Sequence, residues 1–201
     1  ATLQPNDSRT KIFNENPNYD PTLLDQIKFF DIKMIEINSD KSDFGAVLYD
    51  KTLYFTSARS GSKKTYGWTG EPFLDVYTSI MADSGNFSEP VPLETINHKR
   101  HDGPVTISAD GNTMYFVSDR KGEKSSTDIY VVEKNGKSWG TAKPLPMTIN
   151  TVGRETTPFI TPDGRYLFFS SEGHLGMGGL DVFVVENQGG VWGTPINLGS
   201  E

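Results

Sequence analysis

Asp75, Asp128 and Asp181 stand 53 residues apart, and the same interval separates Tyr115 from Phe168 and Trp139 from Trp192. A period of that length means one supersecondary unit built repeatedly, each copy burying its apolar surface only against its neighbours. The sharpest copy is Thr161-Pro162-Asp163-Gly164-Arg165-Tyr166-Leu167-Phe168-Phe169-Ser170-Ser171, followed by a Gly-rich loop and Leu180-Asp181-Val182-Phe183-Val184-Val185. The same order runs through Ala109-Asp110-Gly111, Met114 to Ser118 and Asp128 to Val132. A looser copy has Tyr49-Asp50-Lys51, Leu53 to Ser57 and Asp75-Val76-Tyr77; from Tyr54 to Tyr115 the step is 61, so eight extra residues lie between Arg59 and Asp75.

Each unit divides into four short strands. The first runs through Pro104 to Ser108 (Pro158 to Thr161 in the next copy), the second through Met114 to Ser118, the third through Asp128 to Val132, and the fourth starts near Trp139 or Trp192. Asp-Gly, Asn135-Gly136 and Gly189-Gly190 are tight-hairpin signals, which makes neighbouring strands antiparallel. A sheet with one wet face would alternate apolar and polar residues, yet Met114-Tyr115-Phe116-Val117 and Leu167-Phe168-Phe169 are apolar on both sides. No segment reads as a helix long enough to cover them, so other copies must. Four-stranded sheets of this length packed face to face around an axis are the blades of a β-propeller, and the chain is expected to be all-β with about three blades. A β-sandwich would explain the turns but not the period.

Residues 1–28, rich in Asn, Asp and Pro, read as a linker or peripheral arm, and residues 29–201 as the blades, with repeats beginning near 43, 102 and 155. The apolar run Phe29, Ile32, Met34, Ile35, Ile37 reads as a strand. An Ile-Asn connector precedes each copy, at Ile37-Asn38, Ile96-Asn97 and Ile149-Asn150. The net charge of −7 argues against nucleic-acid binding, which needs cationic neutralisation of phosphates. With no cysteine there is no disulfide, thiolate metal site or Cys nucleophile. No stretch approaches the ~20 apolar residues of a membrane helix.

The order Thr-Pro-Asp-Gly, aromatic strand, Ser-Ser or Ser-Asp-Arg, then Asp-Ile-Tyr or Asp-Val-Phe resembles the Pro-Asp repeats of TolB-like propellers. The copies at 110 and 163 match, whereas the first departs with Asp50-Lys51. More specifically, Ile37 to Gly45, Phe55 to Arg59, Glu71 to Asp75 and Gly173 to Asp181 are similar to the propeller of large OmpA-family cell-envelope proteins of Bacteroidetes-type bacteria. The resemblance covers residues from about 30 to 201. It implies a periplasmic module associated with the outer membrane through other domains or partners, in a family with members in type IX secretion and gliding. It also implies a six-bladed ring, of which three blades would be a fragment; otherwise a second copy is expected to close it.

The search for chemistry returns no catalytic constellation and implies no cofactor and no metal. His98 and His101 have a spacing two metal ligands could use, but no carboxylate cluster of recognisable spacing accompanies them, and they read as solvated loop histidines. Asp75, Asp128 and Asp181 point to equivalent places around a ring and not to one site, so they read as structural, accepting backbone or Arg hydrogen bonds; Trp139 and Trp192 mark a structural fourth-strand position. Asp102 and Glu155 read as turn-forming residues of the connectors.

Topology gives the better site argument. In a meandering blade the loops between second and third strands share one face with the blade-to-blade connectors, and the tight hairpins share the other. All long loops therefore gather on one side, bringing together Lys63, Lys64, Tyr66, Trp68 and Phe73 from the insertion, Lys99, Arg100 and His101 from one connector, Arg154 from the next and His174 from the Gly-rich loop. That face is the expected partner-binding surface. Two readings of the insertion aromatics stand: exposed anchors, or a small core folded over the blade edge. The function expected is a non-enzymatic protein-interaction scaffold for envelope proteins; the alternative is a carbohydrate-binding or glycan-processing propeller.

Overall fold

The computed structural model describes residues 33–60, 64–120 and 126–199. From Glu36 onward these form one compact unit of strands, with no helix among the described residues. The first sheet holds β1 (Asp43–Tyr49), β2 (Thr52–Ser57), β3 (Asp75–Ile80) and β4 (Val91–Pro92) in that spatial order. The second holds β5 (Asp102–Ile107), β6 (Thr113–Ser118), β7 (Asp128–Asn135), β8 (Ser138–Trp139) and β9 (Lys143–Pro144). The third repeats it with β10 (Glu155–Ile160), β11 (Tyr166–Ser171), β12 (Asp181–Gln188), β13 (Val191–Trp192) and β14 (Ile196–Asn197). All pairings are antiparallel, and the hairpins fall where the Asp-Gly and Asn-Gly signals place them.

The fourth strand is broken in two. Trp139 pairs with Lys134 at the end of β7, while Lys143 and Pro144 pair with Val131 and Tyr130 further back. The first sheet has the same break: the bridge Met81↔Phe87 matches Lys134↔Trp139, so Phe87 stands in the tryptophan position. Every first strand carries a one-residue bulge, between Phe44 and Val47, Asp102 and Val105, and Thr156 and Phe159. At the first of these Gly45 takes φ 64°, and a Cβ there would meet that of Pro104 at 2.9 Å. The bulge therefore lets β1 approach β5 closely, with the first strands innermost.

Burial follows the repeat. Met114, Tyr115, Phe116 and Val117 are all buried, as the two-sided apolar pattern predicts. Met114, Phe116, Tyr130, Val132 and Trp139 pack on Tyr54, Val76 and Ile96 of the first blade. Leu167, Phe169, Phe183 and Val185 pack on Tyr115, Ile129, Leu145 and Ile149 of the second. An edge-on ring marks each joint, Trp139 against Tyr54 at 6.5 Å and Trp192 against Tyr115 at 6.0 Å. Such contacts add roughly 0.5–1.5 kcal/mol beyond area burial.

The connector asparagine pins each joint. Asn97 accepts the Val76 N–H at 2.7 Å and donates to its carbonyl at 2.9 Å; Asn150 does the same to Ile129 at 2.8 and 2.9 Å. A side-chain amide thus stands in for a strand partner.

One expected strand is not formed over its described residues. Residues 33–37 lie in coil and a turn, because Ile37 belongs to the connector, whose backbone must bend for Ser39 to reach Asp43. Residues 1–32, which carry the whole of the expected arm and the start of that strand, lie outside the described residues.

Candidate functional site

At the loop end of every blade the first residue of the inner strand is an acid. Asp43, Asp102 and Glu155 pair across the sheet with Ser57, Ser118 and Ser171, the last residue of strand two. Each reaches back to the connector residue four positions earlier, accepting the N–H of Ser39 (2.7 Å), His98 (2.7 Å) or Thr151 (2.8 Å). Arg59 and Arg120 complete the first two copies. Arg120 gives Nη2 to Asp102 at 2.9 Å and to the Ile96 carbonyl at 2.8 Å, gives Nε to Ser118, and lies 5.0 and 4.9 Å from the rings of Phe116 and Tyr130. Arg59 repeats this with Asp43, Ile37 and Ser57, and with Phe55 and Tyr77 at 4.9 and 5.4 Å. These are the carboxylates the connectors are built on, where the sequence reading had only turn formers. Hydrogen bonds from Ser57, Arg59 and Ser39 outweigh desolvation at Asp43 and draw its carboxyl down to about 2.

In the third blade glycine occupies the arginine position, and His174 takes over. Its Nε2 meets the Ile149 carbonyl at 2.9 Å, and its ring lies 5.8 and 5.1 Å from Phe169 and Phe183, the counterparts of the rings under Arg59 and Arg120. His174, expected on the partner face, is thereby committed to the blade. Glu155, longer than Asp by one methylene, accepts from Thr151 and Ser171 instead.

The third-strand aspartates divide. Asp181 accepts the N–H groups of Met177 and Gly178 at 2.8 and 3.2 Å and so shapes the Gly-rich loop. The arginines bond the first-strand acids and not Asp75, whose loop carries the insertion. Asp75 is half-buried beside Asp102; burial first, and the Asp102 charge second, push its carboxyl up to about 6.

The long loops do share one end of the sheets. The insertion forms a small hairpin: Thr65 bridges Pro72, Tyr66 N donates to the Glu71 carbonyl at 2.7 Å, and Gly70 N donates to the Tyr66 carbonyl at 2.8 Å. Ser42 anchors it through Glu71 Oε2 at 2.7 Å. Tyr66 and Phe73 pack edge-on to His101 at 4.7 and 4.8 Å, while Trp68 at the tip is 86% exposed. Both readings of the aromatics therefore hold for part of the set: Phe73 folds back, Tyr66 bridges and Trp68 projects. Lys64 is exposed on the same loop, and Lys63 lies outside the described residues.

His101 is a packing residue of this loop. Its Nδ1 accepts the Leu74 N–H at 3.1 Å, which leaves the proton of the neutral ring on Nε2, among aromatic rings and without an oxygen or nitrogen partner. Burial lowers its pKa, in keeping with a neutral ring. Arg100 pairs with Asp119 at 3.6 Å and Arg154 with Glu172 at 2.7 Å, both part-exposed. His98 gives Nδ1 to Asp102 at 2.9 Å in the role that the hydroxyls of Ser39 and Thr151 fill elsewhere. Among the described residues no group of three or more His, Cys, Asp or Glu could hold a metal.

Sequence reasoning passed over three exposed apolar residues on the same loops, Val152 (94%), Leu175 (95%) and Met177 (65%). Their signal was an apolar residue inside a loop otherwise made of glycine and polar residues.

The described residues are thus three consecutive antiparallel blades of an all-β propeller. Among solved structures the chain is similar to TolB from Acinetobacter baumannii, at 17% identity over 71% of this chain and 28% of that one, with a TM-score of 0.41. It is similar also to a structure from an analysis of two prolyl endopeptidases and their inter-domain dynamics, at 12% identity over 79% of this chain and 21% of that one, with a TM-score of 0.47. The chain spans between a fifth and a third of the length of these structures. Neither a family model nor a curated protein matches it. What this chain does has to come from its own residues.

Proposed function

We propose that this protein is a non-enzymatic interaction scaffold of the bacterial envelope, working on the periplasmic side in association with the outer membrane and capturing a partner protein on its long-loop face. The observation that carries the reading is Trp68, held 86% exposed at the tip of a hairpin that is hydrogen-bonded within itself and anchored to Ser42. Ordering an exposed tryptophan on a built loop lowers the entropy cost of using it as an anchor, and tryptophan is among the commonest interface hot spots. Val152, Leu175 and Met177 extend the apolar contact on neighbouring loops, and Arg100 and Arg154 supply a polar rim. The envelope setting, and a place in type IX secretion or gliding, come from the resemblance of the repeat. A photo-crosslinker at position 67, where an added Cβ meets nothing within 4 Å, should trap one protein in envelope preparations, and Trp68→Ala in the purified pair should weaken its binding; an unchanged affinity contradicts the reading.

The same proposal assigns the outer face of the third blade to further blades of the ring or to a second copy. Val182, Leu198 and Phe159 are 49, 49 and 55% exposed, whereas their counterparts one period earlier, Ile129, Leu145 and Thr106, are 0, 5 and 5% exposed. A covering blade would set an aromatic edge against Phe168, as Trp192 does against Tyr115.

A further inference from the structure

Beneath the insertion lies a cavity of about 300 Å³ lined by Ser60, Lys64, Phe73, Asp75, His98, Lys99 and Arg100. It exists because the first blade departs from the repeat at two points. In the third blade the aspartate that opens strand three is consumed by its own loop, Asp181 accepting from Met177 and Gly178. In the first blade the loop has been exchanged for the insertion hairpin, whose hydrogen bonds close on themselves, and Asp75 is left on the cavity wall. At the connector, His98 replaces the hydroxyl residue of the other blades. Its Nδ1 bonds Asp102, and His98 lines the same cavity.

The wall therefore offers three kinds of contact within one small space. Asp75, when ionised, accepts through both carboxylate oxygens. Lys99, exposed, and Arg100, whose Nη1 is turned to Asp119, are cationic donors. Phe73 gives a half-buried apolar surface. An apolar ligand would leave the charged groups unmet, and a simple anion would face Asp75. A sugar ring meets all three: adjacent hydroxyls donate to a carboxylate in bidentate fashion, and the C–H face of the ring lies on an aromatic. A cavity of this size stands at the small end of ligand sites and admits one ring.

We propose that this cavity binds a carbohydrate ring carrying a carboxylate, its vicinal hydroxyls donated to Asp75 and its acid held by Lys99 and Arg100. This site uses none of the apolar residues assigned to partner capture and shares only Arg100 with the rim of that face.

Backbone amide NMR of the full chain, titrated with glucuronate and galacturonate and with glucose as the neutral control, tests it. At least one uronate should shift the amides around Asp75 and from His98 to His101 with saturation, and more tightly than glucose. Asp75→Asn should weaken that binding about tenfold or more, the effect of removing a buried ligand contact of this kind. Lys99→Ala, a surface change, should weaken uronate binding and leave glucose binding as it is, and Trp68→Ala should leave both unchanged. The proposal is overturned if neither uronate gives a saturable shift, if Asp75→Asn binds as well as the wild type, or if glucose binds as tightly as the uronates. Loss of sugar binding in Trp68→Ala would also overturn it, because the site would then lie on the insertion tip.

Discussion

Asp75 and Asp102 are two carboxylates at neighbouring starts of strands, and only one of them has an arginine. Asp102 is bound by Arg120, by the His98 backbone and by the His98 ring. Asp75 carries the cost, and its carboxyl rises to about 6 from the ordinary 3.8. A folded-state pKa above the unfolded one means that the folded state binds the extra proton, so stability falls as pH rises from about 4 to about 6 and is level above that. The full shift would be about 3 kcal/mol, which partial solvent exposure reduces to about 1 kcal/mol. Asp75→Asn should accordingly raise the melting temperature by a few degrees at pH 7.5 and hardly at all at pH 4, as thermal unfolding at the two pH values would show. Equal effects at both would mean that the charge is not strained. Arg120 works in the opposite sense. Arg120→Met leaves Asp102, fully buried, without its counter-charge, and should cost about 3–5 kcal/mol in urea unfolding. These pairs were hard to read in the sequence because the third blade lacks the arginine and fills its place with His174, one position later. With two copies alike and one different, the pattern dissolves into separate polar residues. The period, by contrast, showed Trp139 and Trp192 at once, since both keep an unbroken 53-residue spacing.

At the scale of the element, the joint between blades is one apolar face, one edge-on aromatic and one asparagine. Asn150 makes three hydrogen bonds from a buried position, to the Ile129 N–H, the Ile129 carbonyl and the Leu145 carbonyl. Asn150→Ala strands the Ile129 N–H in the core, with an expected cost of about 2–3 kcal/mol. Hydrogen exchange should show faster opening along β7 and β10 and little change in β2 and β3; uniform acceleration through all three blades would mean that the joint is not a local unit. The Ile-Asn connectors were legible as a repeated marker, but their role was not, because a side-chain amide pairing with a strand backbone leaves no periodic trace. Phe87 escaped for a simpler reason. The hairpin before it is one residue longer than its counterpart, which moves the aromatic out of register with Trp139.

For the whole molecule, burial and exposure separate two kinds of apolar surface. Ile129 and Val182 occupy the same position one period apart, yet one is fully buried and the other 49% exposed. Ile129→Asp should unfold the protein or cost several kcal/mol, since it places an unpaired charge in a blade joint. Val182→Asp should change stability by no more than about 0.5 kcal/mol and reduce binding of a hydrophobic dye. Equal losses in the two variants would mean that position 182 is as buried as position 129. The outer face of the third blade carries the counterparts of the residues that fill the joints of the first two blades. The long-loop face differs in kind, because Trp68 lies in an insertion and the counterpart of Val152 one period earlier, Lys99, is exposed like it. The sequence marked this face through the eight-residue insertion but could not apportion its aromatics, which depended on His101 packing edge-on against Phe73 and Tyr66.

The most direct measurement is the affinity of the protein crosslinked at position 67 for the purified wild type and for Trp68→Ala, with melting temperature followed in parallel. A tryptophan anchor predicts weakening of about thirtyfold or more, a hot-spot loss of about 2 kcal/mol, with the melting temperature unchanged. Equal affinity of the two proteins would contradict the assignment of the long-loop face as the working surface.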